Sequence, residues 1–345
     1  MIGALTKQLT RRRLSWATII AVGVTGLFIL TFPLLFTRPF PQHVMILIFL
    51  FATLGQAWNL VGGYAGQVSF GHAVFFGMGA YTSTVLLLRW NVNPWLGMLA
   101  GAVVAALVSI IIGYPCFRLK GRYFAIATMA TGEIVRLMFV NWEWVGGARG
   151  LFVPMLDESL LNLQFHTTKV PYYYIALVML VVSVLVTRRV ERTRPGYYFM
   201  AINEDTDAAR SLGVDATRYK LLAIIISAIL SAVGGTLYAQ YVLYIDPDSV
   251  LLLHLSTRIC LVSVLGGTGT LWGPIIGAFI LIPMAEFTRV YLGGGGRGIH
   301  LVVYGALIML VAVIEPGGLM ALVKRLRRRG AQSAASEKGI LSTPA

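Results

Sequence analysis

Polar side chains are scarce in this sequence, so the places where they gather inside apolar stretches carry the first chemical information. The segment Gly62–Tyr81 reads GGYAGQVSFGHAVFFGMGAY and sets Gln67, Ser69 and His72 among Gly62, Gly63, Gly66, Gly71, Gly77 and Gly79. A helix broken here exposes backbone N–H and C=O groups, which an apolar surrounding tolerates only against protein or a water-filled cavity. Two readings stay open. Gly66, Gln67, Ser69, Gly71 and His72 either line a translocation path, or they form a tight turn with glycine-mediated helix packing. His72 has no second His or carboxylate at helical spacing. A hydrogen bond to a neighbour is therefore favoured for it over a proton relay.

Glu133 and Arg136 lie three residues apart, as do Glu286 and Arg289, so each pair can meet on one helix face. Ionisable groups on apolar helices face a bundle interior or water. Glu133 and Arg136 are expected either to line the path or to hold helices together as a self-neutralising pair. Arg258 has no acidic partner nearby in sequence and must reach the interface or a neighbouring helix.

The stretch 188–220 reads RRVERTRPGYYFMAINEDTDAARSLGVDATRYK. Pro195-Gly196 ends the preceding helix. Asn203 is the expected N-cap of a new one, with Glu204, Asp205 and Asp207 complementing the helix dipole. Gly213 suits the C′ position, where φ is positive. A short helix over Glu204–Leu212 is thus specified at both ends. Ala208, Ala209 and Leu212 give it a shallow apolar face. That face fits a groove on another protein, although an ordinary solvated loop helix has the same pattern.

Several chemistries are absent. No G-x-x-x-x-G-K-[ST] phosphate loop occurs, and Gly293–Gly298 lacks the Lys-Ser/Thr that would make one. No nucleophile elbow, HExxH or paired acidic constellation appears, so no catalytic residue, cofactor or metal is expected. Cys116 and Cys260 are isolated and read as packing residues.

The elements that must position these residues follow from composition. The 345 residues are 57% hydrophobic and 12% charged, against about 25% charged in a soluble domain. A net charge of +14 would suggest nucleic acid. Here, however, the basic residues sit in short clusters between apolar runs, the positive-inside pattern of a membrane protein, so no nucleic-acid partner is expected. Spanning helices need about 20 apolar residues. Candidates are 14–37 (too long for a cleaved signal), two within 43–89, 94–116, 123–142, 170–187, 221–244, 255–265, 274–291 and 299–314. Placing the clusters 11–13, 118–122, 188–194 and 324–329 on one side requires four, two and four spans between them, about ten in all, with both termini cytoplasmic. The acidic residues Asp157, Glu158, Asp246 and Asp248 then fall outside. A second glycine cluster, Gly266, Gly267, Gly269 and Gly273, loosely repeats the first. It is read as a second helix break and as a trace of internal duplication, or simply as close packing.

GYAGQVSFGHAVFFGMGAYT, AINEDTDAARSLGVDATRYK and VLGGTGTLWGPIIGA, in this order and spacing, resemble the M-type permeases of branched-chain amino-acid ABC transporters over roughly residues 44–318. The resemblance implies an importer in the bacterial cytoplasmic (inner) membrane. It would be built from this chain, a second homologous permease, two cytoplasmic ATPases and an external substrate-binding protein. It also implies that Asn203–Gly213 is the helix seated in the ATPase. The acidic position before the paired alanines is Asp207, where the family more often has Glu. The expected organisation is an N-terminal segment 1–13, a permease domain 14–318 with its coupling loop at 188–220, and a basic, disordered tail 319–345. Alternatives with the same all-α polytopic fold are a urea, short-chain amide or sugar ABC permease, or a secondary transporter or channel that works without ATPases.

Overall fold

A computed structural model of the chain describes residues 16–119, 121–292, 305–306, 309 and 318–320. The expected segment 1–13 and tail beyond residue 320 lie outside these residues, as does almost all of the tenth expected span.

The segment up to His43 forms a unit by itself. Its helix α1 (Trp16–Leu35) carries Pro33 in its last turn. Helix ends leave carbonyls without intrahelical donors. Gln42 meets this need, donating from Nε2 to the carbonyls of Pro33 and Phe36 at 3.2 and 3.0 Å.

The second unit begins at Val44, inside α2 (Pro39–Asn59). From there α2 is almost wholly buried, with Phe49, Leu54 and Trp58 in the core and Thr53, Gln56 and Asn59 as buried polar residues. The main core lies among α3 (His72–Trp90), α4 (Pro94–Cys116) and the long α9 (Ala216–Val242). Asn93 starts α4 by accepting the Trp95 N–H at 2.8 Å, with Pro94 in the first turn. Backbone contact between α3 and α9 depends on glycine. A Cβ at Gly79 would strike the Ala232 backbone, and one at Gly235 would strike the Phe76 carbonyl. Thr236 Oγ1 also donates to the Gly79 carbonyl at 3.1 Å.

Around this core stand α5 (Arg122–Val140), α6 (Val170–Glu191), α7 (Arg194–Glu204), α8 (Thr206–Ser211), the turn α10 (Pro247–Val250), α11 (Leu253–Gly266) and α12 (Gly273–Leu292). Two short strands, β1 (Leu151–Phe152) and β2 (Tyr244–Ile245), pair antiparallel with Leu151 opposite Ile245. They bring the 141–169 and 243–250 segments to one end of the bundle. Phe117, Arg118, Leu119 and Gly121 line one cavity with Thr206, Asp207, Arg210, Thr217 and Lys220, and so lie together at the other end.

Among the described residues, seven helices are long and apolar enough to cross a membrane: Pro39–Tyr64, Pro94–Cys116, Arg122–Val140, Val170–Glu191, Ala216–Val242, Pro247–Gly266 and Gly273–Val290. The short eighth expected span is lengthened at its N-terminal end by α10. α3 is as long as α5 and carries His72, the run Tyr81–Thr84 and Arg89. It is packed among α4 and α9, where those groups find partners or protein surroundings.

Candidate functional site

The first glycine cluster is a break in the helical path. α2 widens into a π turn over Leu60–Tyr64, the chain then runs without regular structure to Gly71, and α3 starts at His72. Gly66 takes φ +67°, which favours glycine. The released backbone groups are recaptured by surrounding helices. Trp58 Nε1 donates to the Ser69 carbonyl at 2.8 Å, and the N–H of Phe70 donates to Thr128 Oγ1 of α5 at 3.1 Å. The N–H of Ala73 donates to Ser256 Oγ of α11 at 2.8 Å. His72 Nε2 bonds Ser227 Oγ of α9 at 2.8 Å. Ser69, Gly71 and His72 are thus enclosed by protein, whereas Gln67 borders a cavity of about 380 Å³.

The second glycine cluster docks onto the first. α11 ends at Gly266, residues 267–272 form an irregular connection, and α12 begins at Gly273. Two amides in the last turns of α2 hold this connection. Asn59 Oδ1 accepts the Gly269 N–H at 2.8 Å, and its Nδ2 donates to the Thr270 carbonyl at 2.9 Å. Gln56 Nε2 donates to the Leu271 carbonyl at 2.5 Å. A Cβ at Gly63 would collide with both Asn59 Oδ1 and the Gly269 N–H, so the approach of the breaks requires glycine there. Sequence reasoning missed Gln56 and Asn59. Their signal was two amides three residues apart in a stretch without a charged residue, just before Gly62-Gly63.

The 203–213 segment differs from the expected single helix. α7 continues through Asn203 to Glu204, and a new helix, α8, starts at Thr206. The N-cap is Asp205, whose Oδ1 accepts from the N–H groups of Asp207 and Ala208 at 2.8 and 3.0 Å. Pro195 explains the shift. It starts α7 in place of merely ending α6, and the eleven-residue α7 runs past the expected cap. Asn203 instead donates from Nδ2 to the Gly63 carbonyl at 3.3 Å.

Gly213, at φ +84°, closes α8 as expected. Its N–H bonds the Arg210 carbonyl, and the Val214 N–H bonds the Ala209 carbonyl, the two bonds of a Schellman cap. That cap turns Ala209 inward against Ile202, Val214 and Ala216. The expected outward apolar face therefore reduces to Ala208 and Leu212, the latter 85% exposed.

Glu133 and Arg136 form a close ion pair on α5, and Arg136 Nη1 extends it to Asp248 Oδ1 at 2.6 Å. The group ties α5 to the α10 turn. Arg258 finds its partner on α12, with Nη2 at 3.5 Å from Glu286 Oε1, while Arg289 pairs with the same carboxylate at 2.8 Å. Outside the spanning helices, Glu158 organises the 157–167 loop. Its Oε1 accepts from Thr167 Oγ1 at 2.8 Å and from the N–H groups of Thr167 and His166 at 2.5 and 2.6 Å. The Thr167 hydroxyl bond, followed by these backbone bonds, holds the Glu158 carboxyl below the usual carboxylate range.

Residues 40–312 match the family described as branched-chain amino acid transport system, permease component. Two similar curated proteins are high-affinity branched-chain amino acid transport system permease proteins LivM. The one from Escherichia coli K12 is 29% identical over 81% of this chain and 70% of its own length. The one from Salmonella typhimurium LT2 is 30% identical over 80% and 68%. The LivH permease protein of the same Escherichia coli strain is 24% identical over 78% of this chain and 91% of its own length. No solved structure matches the chain.

Proposed function

The chain belongs to the branched-chain amino acid transport system permease family, and on that premise we propose how its helix breaks and its α7–α8 loop serve transport. It is a multi-pass, all-helical membrane protein and a transport subunit of an ABC importer, not an enzyme. The proposed cargo is branched-chain or related amino acids, in line with the function in the relatives' names. The proposed assembly places it in a bacterial cytoplasmic membrane beside a second, homologous permease. Two cytoplasmic ATPases and an extracytoplasmic binding protein complete it. Ten spans with both termini inside remain the preferred topology. Its support is that Arg118, Arg188 and Arg192 gather near the α7–α8 end, while Asp246 and Asp248 lie at the β1–β2 end.

In this reading α8 is the handle for the ATPase. Asn203, Glu204, Asp205, Asp207, Ala208, Ala209, Leu212 and Gly213 build and present it. Ala208 and Leu212 make the contact, Asp205 and Gly213 set its ends, and Ala209 anchors it to its own chain. The carrying observation is the seat of this loop: Asn203 bonds Gly63 inside the first helix break, and Asn59 joins that break to the second. A displacement of α7–α8 is thereby transmitted to both interruptions of the helical path, and irregular backbone at membrane depth is where such paths are lined. Gly66 and Gln67 border this route. Ser69, Gly71 and His72 brace it from within the protein, and Glu133–Arg136 clamps α5 at the far end.

Reconstitution tests this. The complete complex in liposomes should take up amino acid only with internal ATP and external binding protein. Uptake by the lone chain without nucleotide would overturn the reading.

A further inference from the structure

A second cavity, of about 520 Å³, opens beside the second helix break and has no part in the coupling scheme above. Its walls are Arg188 and Glu191 of α6, Arg192 at the cap just after it, Tyr197 and Met200 of α7, and Leu271 and Trp272 just before α12. Two guanidinium groups against one carboxylate leave the lining with a net positive charge. Arg188 and Arg192 are four residues apart, so they sit on one face of the helix end.

The same face continues up α6 as an apolar stripe. Val178, Val181, Val182 and Leu185 are all exposed large hydrophobics, spaced by three and four residues, and the stripe runs into Arg188 and Arg192 at its end. Tyr197 and Trp272 are also exposed, Trp272 by 56%, and such aromatics settle at the level of lipid headgroups. The order along this face is apolar chain surface, interfacial aromatics, then paired arginines. A phospholipid presents the matching order: acyl chain, glycerol backbone, then phosphate. Guanidinium groups bind phosphate oxygens with charge-assisted hydrogen bonds, and basic pockets at the cytoplasmic membrane face attract anionic headgroups.

We propose that this cavity is a binding site for one anionic phospholipid. Its phosphate lies between Arg188 and Arg192, and one acyl chain lies along Val178–Leu185. The site is positioned to matter for transport, because Leu271 and Trp272 belong to the connection held by Gln56 and Asn59. A lipid seated there braces the second break from the membrane side. The inference takes from the transport reading only the membrane placement of this end, and a binding readout keeps the two separable.

The test uses the assembled complex, purified in mild detergent and titrated with phosphatidylglycerol or phosphatidylcholine under native mass spectrometry. The expected result is retained phosphatidylglycerol in the wild type. Retention should fall about thirtyfold in the R188Q/R192Q double variant, taking a contribution per arginine typical of anionic membrane surfaces. The charge-preserving R188K/R192K variant should keep most of it, and W272A should weaken it with the charges intact. Unchanged phosphatidylglycerol retention in R188Q/R192Q would overturn the proposal. Equal competition by inorganic phosphate would overturn it in favour of a free-anion site. A photo-crosslinker at position 197 that captures an ATPase subunit and no phospholipid would overturn it in favour of a protein contact.

Discussion

Asn203, on the last turn of α7, donates to the carbonyl oxygen of Gly63, 140 positions earlier in the chain and 3.3 Å away. The bond joins the α7–α8 loop to the π turn that ends the Pro39–Tyr64 helix. One neutral hydrogen bond contributes about 0.5–1.5 kcal/mol net, so N203A should lower coupling roughly two- to tenfold. The check is uptake per ATP hydrolysed in proteoliposomes. A fall in this ratio is expected, with an unfolding temperature lowered by no more than that one bond's small contribution, since Asn203 is exposed and its loss leaves no cavity.

The glycines at the break are closer to irreplaceable. At Gly63 a Cβ meets the Gly269 backbone, and at Gly66 it meets Asn203 at a positive φ. G63A and G66A should each cost about 1–3 kcal/mol, read as a lower unfolding temperature of the purified complex. G132A is the control. A Cβ there meets nothing nearer than 3.9 Å, and alanine is the better helix former, so stability should hold or rise.

Asn59 and Gln56 should rank in a definite order. N59A orphans both the Gly269 N–H and the Thr270 carbonyl, whereas Q56A orphans only the Leu271 carbonyl. Each buried polar group left unpaired costs about 1–3 kcal/mol. Thermal unfolding should therefore show N59A as the more damaging change, with a loss of roughly 2 kcal/mol or more.

Much of this fold was legible from hydropathy and glycine punctuation, and the rest was not for identifiable reasons. The helix expected at 94–116 is α4, and the breaks expected near Gly62–Gly71 and Gly266–Gly273 are present. These are local signals: apolar length, proline, glycine. The meeting of the two breaks is not local. It depends on Asn59 reaching residues more than 200 positions away, and nothing in a single sequence marks the partner of an amide. The cap moved from Asn203 to Asp205 because both residue types cap well and lie two apart. The extension of α7 from Pro195 decided between them. Ala209 looked like part of a docking face, but the Gly213 cap that made the helix legible also turns this residue inward.

The 157–167 loop should respond to pH through Glu158. Its carboxyl is held below the usual range, so its contribution is present above the unfolded value of about 4.3 and is lost as pH falls through the lower folded value. Limited proteolysis of the 157–167 loop should show protection at about pH 5 and cleavage only once the pH drops clearly below about 4. E158A should be cleaved at both.

Leu212 offers the most direct trial of the coupling scheme, because it is 85% exposed and its replacement leaves the fold of this chain untouched. The measurement is ATP-driven amino-acid uptake by a complex carrying L212D, with correct insertion verified. Loss of uptake, with hydrolysis falling to the level of ATPases free of the permease, is the predicted result. Uptake equal to wild type would contradict the assignment of α8 as the site gripped by the motor.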